Sequence, residues 1–202
     1  MSRKMNPHSA IGRLALVINH DLDQAVAYYE VYAPSGVCTP LIERVNQSQI
    51  HEGFNVVSEA LELGVITTLC RIWDKTRGTA RIAEVKSRLR KNTSFVSDQT
   101  DFAQWQADVE KFEKSEHLTV LRGFRNVGLA HRTDPNLPDP RTKSNTRRVL
   151  YGDARIVLEG TIPIVHRLNA LIVGVTQSPD FDQKRKDWER RAVKFWDALA
   201  RE

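Results

Sequence analysis

Apolar residues recur along this chain three and four positions apart, and no stretch alternates with a period of two. That pattern predicts helices and no sheet. A first helix is expected over Asp21 to Ala33, closed by Pro34, Ser35 and Gly36. The longest helical signal runs from Pro40 to Asp74 with a bend near Gly53. Its stripe Val57, Leu61, Val65, Leu69 and Ile72, widened by Leu63, Ile66, Cys70 and Trp73, marks it as the central helix. Beyond a break at Gly78 and Thr79, Ile82, Val85 and Leu89 predict a short basic helix. Phe102, Trp105, Val109 and Phe112 predict another core-facing stripe. Ser115 is a candidate N-cap for a helix carrying Leu121, Phe124, Gly128 and His131 on one line. A proline-rich loop over Thr133 to Thr146 follows. A helix over Tyr151 to Val175 comes next, with Pro163 as a kink or restart. The last helix starts at Ser178-Pro179 and buries Trp188, Ala192, Phe195 and Leu199. The expected fold is all-α, a single up-and-down helical bundle of about five to seven helices. One domain is expected over residues 1–202, because this length fills one core and is short for two.

Composition changes this picture little. A hydrophobic fraction of 41% against 27% charged residues is that of a folded globular chain, not a disordered one. The two cysteines, Cys38 and Cys70, have no metal-ligand spacing and are read as reduced and structural. Neither the N-terminal LALVI run nor IPIVHRLNALIVGV is long enough to be a signal core or a membrane span, so a cytoplasmic location with no membrane partner is expected.

Charge adds more. Arg122 to Arg155 holds eight basic residues against three acidic, a net +5 that equals the charge of the whole protein. Arg71 to Lys91 holds eight basic residues against Asp74 and Glu84, a net +6. Two basic segments suit a polyanion, and they equally suit solvated helix faces.

The candidate chemistry lies in Leu118 to Asp134, where Arg125 is followed by Asn126 and, six positions on, by His131. RNA carries its own nucleophile, the 2′-hydroxyl, so cleaving it needs a proton carrier and a cation, and no metal or other cofactor. His131 can carry the proton, and Arg125 can fork onto the phosphate oxygens. Asn126 supplies an orienting amide. Arg132, Arg141, Lys143, Arg147 and Arg148 could hold flanking phosphates. On a straight helix, Arg125 and His131 stand roughly 120° apart around the axis and about 9 Å apart along it. Convergence therefore needs a distorted helix, the full reach of arginine, or a second copy across a two-fold axis. The bland alternatives are a histidine bonding carbonyls at a helix end and an ordinary surface arginine. Asp74 could pair with Arg125 or Arg71, with a surface carboxylate as the default. His166 reads as a core histidine and all four tryptophans as core. His20 with Asp21 and Asp23 lacks a fourth ligand for a metal.

The run RNVGLAH in a helical chain resembles the signature of the HEPN superfamily: Arg, a polar neighbour, and His after four to six residues. The IWD at Ile72 to Asp74 and the AHR at Ala130 to Arg132 resemble its AbiU2-like branch, linked to abortive-infection defence. The resemblance implies a homodimer in which two motifs face one cleft. It implies a metal-independent endoribonuclease leaving a 2′,3′-cyclic phosphate, with Arg125 as phosphate-binding cation, Asn126 as orienting residue and His131 as acid/base. A toxin of this kind implies a neutralising antitoxin or regulator. Some relatives carry a tyrosine two residues after the histidine that a partner enzyme modifies; Thr133 stands there in this chain, so no such partnership is expected. Many members of the superfamily are inactive scaffolds, so a non-catalytic module binding nucleic acid or protein is the alternative.

Overall fold

The computed structural model describes residues 10–47, 51–75, 81–126, 149, 151–173 and 179–199. Among them are eight α-helices: α1 (Ala10–Val37), α2 (Thr39–Asn46), α3 (His51–Ile72), α4 (Ile82–Lys91), α5 (Gln99–Phe112), α6 (Glu116–Phe124), α7 (Tyr151–Leu171) and α8 (Phe181–Leu199). The all-α expectation holds, with one helix more than the upper end of the five to seven expected.

The hub is α1, not α3. It packs against α3, α8, α7, α4 and α2. Its buried line, Ile11, Ala15, Ile18, Leu22, Val26 and Tyr29, keeps helical spacing far upstream of the expected start at Asp21. The sequence pattern breaks there because Asn19 and Asp21 are polar, yet both are buried with partners. Asn19 and Asn169 of α7 exchange two amide hydrogen bonds of 3.1 and 2.9 Å. Asp21 takes a two-pronged contact from Arg71 at 2.9 and 2.6 Å. Such satisfied polar groups are tolerated inside a core. Nor does Pro34 close α1; it lies inside the helix, which runs on to Val37.

The expected helix over 40–74 is two, α2 and α3. The second is apolar and long enough, by length and composition alone, to cross a membrane, with a mean hydropathy of 1.2 over its most apolar window. Here its C-terminal half, Val65, Ile66, Leu69, Cys70 and Ile72, is buried against the bundle. Glu62 is half-buried on the same helix, and burial raises its carboxyl against a hydrogen bond from Tyr32 that lowers it.

The main core joins α1, α3, α4, α5, α6 and α7 with the start of α8 at Phe181. A smaller one, Leu41, Val45, Phe54 and Trp196, seats α2 and α8 on α3. In α8 the buried residues are Phe181, Ala192 and Trp196, while Phe195 is exposed, one position out of the expected phase. Trp196 wins the inward position because its Nε1–H reaches the Val31 carbonyl at 2.6 Å and its ring meets Phe54 at 4.7 Å. Three tryptophans are fully buried, and Trp188 is half-buried against the main core. His166 is exposed on α7, contrary to the core reading. Pro163 lies inside α7 on its exposed side.

Candidate nucleic-acid site

Local sequence chemistry positions α6. Ser115 caps it, its Oγ accepting the Leu118 N–H at 3.3 Å, as the sequence implied. Two residues on, His117 Nδ1 stands 2.6 Å from the buried carboxylate of Asp153 in the first turn of α7. Leu118, Val120 and Leu121 are buried behind it. The helix thus has one orientation, and its far end carries Arg125 and Asn126.

At those two residues the helix widens into a π-type turn. Such turns are rare and cluster at functional sites. This is a distortion of the sort that convergence of Arg125 with a residue further on would require, and it begins at Arg125 itself. His131, Arg132, Arg141, Lys143, Arg147 and Arg148 lie outside the described residues, as do Gly128 and the 133–146 loop.

Arg125 is a quarter exposed, and each of its three side-chain nitrogens makes one hydrogen bond. Its Nε and Nη2 donate to the Asn126 Oδ1 at 3.1 and 2.9 Å, and its Nη1 donates to the Asp74 Oδ2 at 3.2 Å. Asp74 is therefore not a bland surface carboxylate. Its other oxygen takes Arg81 Nη1 at 3.0 Å. Arg71, the other partner considered for Asp74, is committed to Asp21.

The placement of Asp74 is set by its neighbour. Trp73, at the end of α3, is 1% exposed; its Nε1–H donates to Thr161 Oγ1 at 2.8 Å, and its ring meets Phe112 at 4.9 Å. Phe112 in turn lies over Gly160, where an added Cβ would come within 2.1 Å of its ring. Only glycine allows that approach. With its ring locked, Trp73 presents its carbonyl outward, and Arg122 Nη2 donates to it. The IWD segment thus holds three guanidinium groups: Arg122 on the Trp73 carbonyl, and Arg81 and Arg125 on the Asp74 carboxylate.

Arg81 and Arg122 were not legible as site members. One belongs to the basic segment 71–91 and the other to 122–155, and each segment suited a polyanion and a solvated helix face equally. The fold joins the two segments at Asp74. Arg122 is half-buried, and that burial pulls its guanidinium below the usual range, though it stays charged at neutral pH.

Cys70 lies beneath this cluster, fully buried. Burial pushes its thiol up to about 11 against the opposing pull of Arg125 and Arg122. The folded state therefore favours the neutral thiol, and its contribution to stability is lost as pH rises from the ordinary thiol value through about 11. At pH 8 a thiol reagent is expected to label half-buried Cys38 and to spare Cys70 until denaturant is added. Equal labelling of both in the folded protein would contradict this packing. His20, Asp21 and Asp23 form no ligand set: Asp21 is paired with Arg71 and Asp23 with Lys184 at 2.8 Å.

A bundle of this composition, with its Arg-Asn pair on a widened turn and IWD behind it, matches the family model HEPN_AbiU2, described as AbiU2, over residues 10–190. The chain belongs to this family of HEPN-type helical modules. No curated protein and no solved structure matches it.

Proposed function

We propose that this protein is a metal-independent endoribonuclease of the HEPN type, acting in the cytoplasm as a toxin or phage-defence effector in abortive infection. The observation that carries this reading is Arg125. It is partly exposed on a π-type turn and oriented by Asn126 and Asp74, in a cluster of three arginines with one carboxylate. Oriented cations of that kind suit the charge that builds on phosphate oxygens during cleavage.

In this reading His131 takes the proton of the RNA 2′-hydroxyl, and the freed oxygen attacks the adjacent phosphorus. The bond to the 5′-oxygen breaks, and that oxygen takes a proton. The products are a 2′,3′-cyclic phosphate and a 5′-hydroxyl. Arg125 binds the non-bridging oxygens, and Arg132, Arg141, Lys143, Arg147 and Arg148 hold flanking phosphates. A homodimer supplies a second His131 to the same cleft, so that one acts as base and the other as acid. An antitoxin or regulator keeps the activity in check. Purified protein is then expected to cut RNA in excess EDTA and to sediment as a dimer at working concentration. Full activity of His131→Ala would refute the mechanism.

One observation favours the second reading, a non-catalytic module that binds nucleic acid or protein. The Nε–Nη2 edge of Arg125, its best phosphate fork, is filled by the Asn126 carbonyl oxygen. Cleavage requires that amide to move aside or phosphate to take the Nη1–Nη2 edge. The binding module predicts salt-dependent RNA affinity that Arg125→Ala weakens, and no cyclic phosphate from any RNA.

A further inference from the structure

A simple carboxylate–guanidinium pair would orient Arg125 but cancel its charge, and a neutralised arginine is a poor phosphate ligand. The arrangement around Asp74 avoids this. Its Oδ2 faces Arg125 Nη1 at 3.2 Å and its Oδ1 faces Arg81 Nη1 at 3.0 Å, so two cations share one anion. The trio keeps a net positive charge. Exposure also divides the roles: the Arg81 side chain is 12% exposed and that of Arg125 is 27%. Arg81 is the inner counter-ion, and Arg125 is the one presented to solvent. Trp73, locked by Thr161 and Phe112, fixes where the carboxylate sits.

We propose that Asp74 is the positioning residue for Arg125, and that Arg81 is the counter-ion that lets Asp74 hold Arg125 without neutralising it. Asp74 touches no substrate in this scheme. Its effect on cleavage rests on the ribonuclease reading above, whereas its effect on Arg125 does not.

The test compares Asp74→Asn, Arg81→Gln and the double variant, each checked for an unchanged melting profile. Asp74→Asn adds one positive charge to the cluster while loosening Arg125. It is expected to bind a single-stranded RNA oligonucleotide as tightly as the parent or more so, yet to cleave it roughly 10- to 100-fold more slowly at saturation. Arg81→Gln leaves Asp74 to neutralise Arg125, so RNA affinity is expected to fall about tenfold at low salt and to recover in the double variant. A merely structural carboxylate would not separate binding from turnover in this way. Independently of activity, the ¹⁵N-labelled Arg125 Nη1–H signal, whose partner is Asp74, is expected to be ordered in the parent and in Arg81→Gln, and motionally averaged in Asp74→Asn. If the parent cuts RNA and Asp74→Asn cuts it equally fast, or if the Arg125 signal is unchanged in Asp74→Asn, the positioning role is overturned. If the parent fails to cut RNA but Asp74→Asn frees Arg125, the positioning role stands and the ribonuclease reading falls.

Discussion

Arg125→Ala is expected to slow RNA cleavage by about 10²- to 10³-fold, the usual cost of removing one donor aimed at transition-state charge. The fold should survive. The ion pair with Asp74 is partly solvated and worth at most about 1 kcal/mol, and Asp74 keeps Arg81 when Arg125 is removed. Lysine at this position retains the charge but not the planar fork, so Arg125→Lys should recover only part of the rate. His131→Ala, on the same reasoning, should lose about 10²- to 10⁴-fold, because a positioned proton carrier contributes that much. Initial rates at saturating RNA, beside unchanged melting curves, check both. A rate within twofold of the parent for Arg125→Ala would remove the cation from the scheme.

The largest stability loss is expected at Trp105. Its side chain is fully buried between α5 and α7, its Nε1–H donates to the Ile164 carbonyl at 2.9 Å, and its ring stacks on Phe102 at 5.9 Å. Trp105→Ala removes that apolar surface and leaves a cavity that a rigid helix pair cannot close. A cost of about 3–5 kcal/mol follows, a large share of the roughly 5–15 kcal/mol that holds a typical domain together. Trp105→Phe keeps part of the volume and loses the hydrogen bond, so it should cost about 1–3 kcal/mol. Urea unfolding measures both. A change below 1 kcal/mol for the alanine variant would mean that α5 and α7 do not pack as described.

Where a helix buries an unbroken apolar stripe, the sequence was legible. Phe102, Trp105 and Val109 on α5, and Val157, Ile164, Leu168 and Leu171 on α7, face the core as their spacing implied. It misled where burial is shared with polar pairs. The N-terminal half of α1 was missed because Asn19 and Asp21 look like surface residues until Asn169 and Arg71, 150 and 50 positions away, supply their partners. The same holds for the site. Arg125 and Asn126 are neighbours in sequence and stand out as a motif. Their support comes from Asp74, 51 positions upstream of Arg125, and through it from Arg81. No local pattern distinguishes Arg81 from the other arginines of its basic segment. The IWD run was visible as part of a resemblance, but its physical work became apparent only with Trp73 buried and Asp74 lying between two guanidinium groups.

Cleavage by the RNA's own 2′-hydroxyl leaves a signature in its products. The most direct measurement is the mass of the products formed from a defined oligoribonucleotide in excess EDTA, beside the same oligonucleotide with a 2′-deoxy residue at the cleaved position. A 2′,3′-cyclic phosphate and a 5′-hydroxyl are expected from the first, and no cut at the substituted position in the second. Cleavage that ignores the 2′-deoxy substitution, or that yields a 5′-phosphate, would contradict attack by the 2′-hydroxyl.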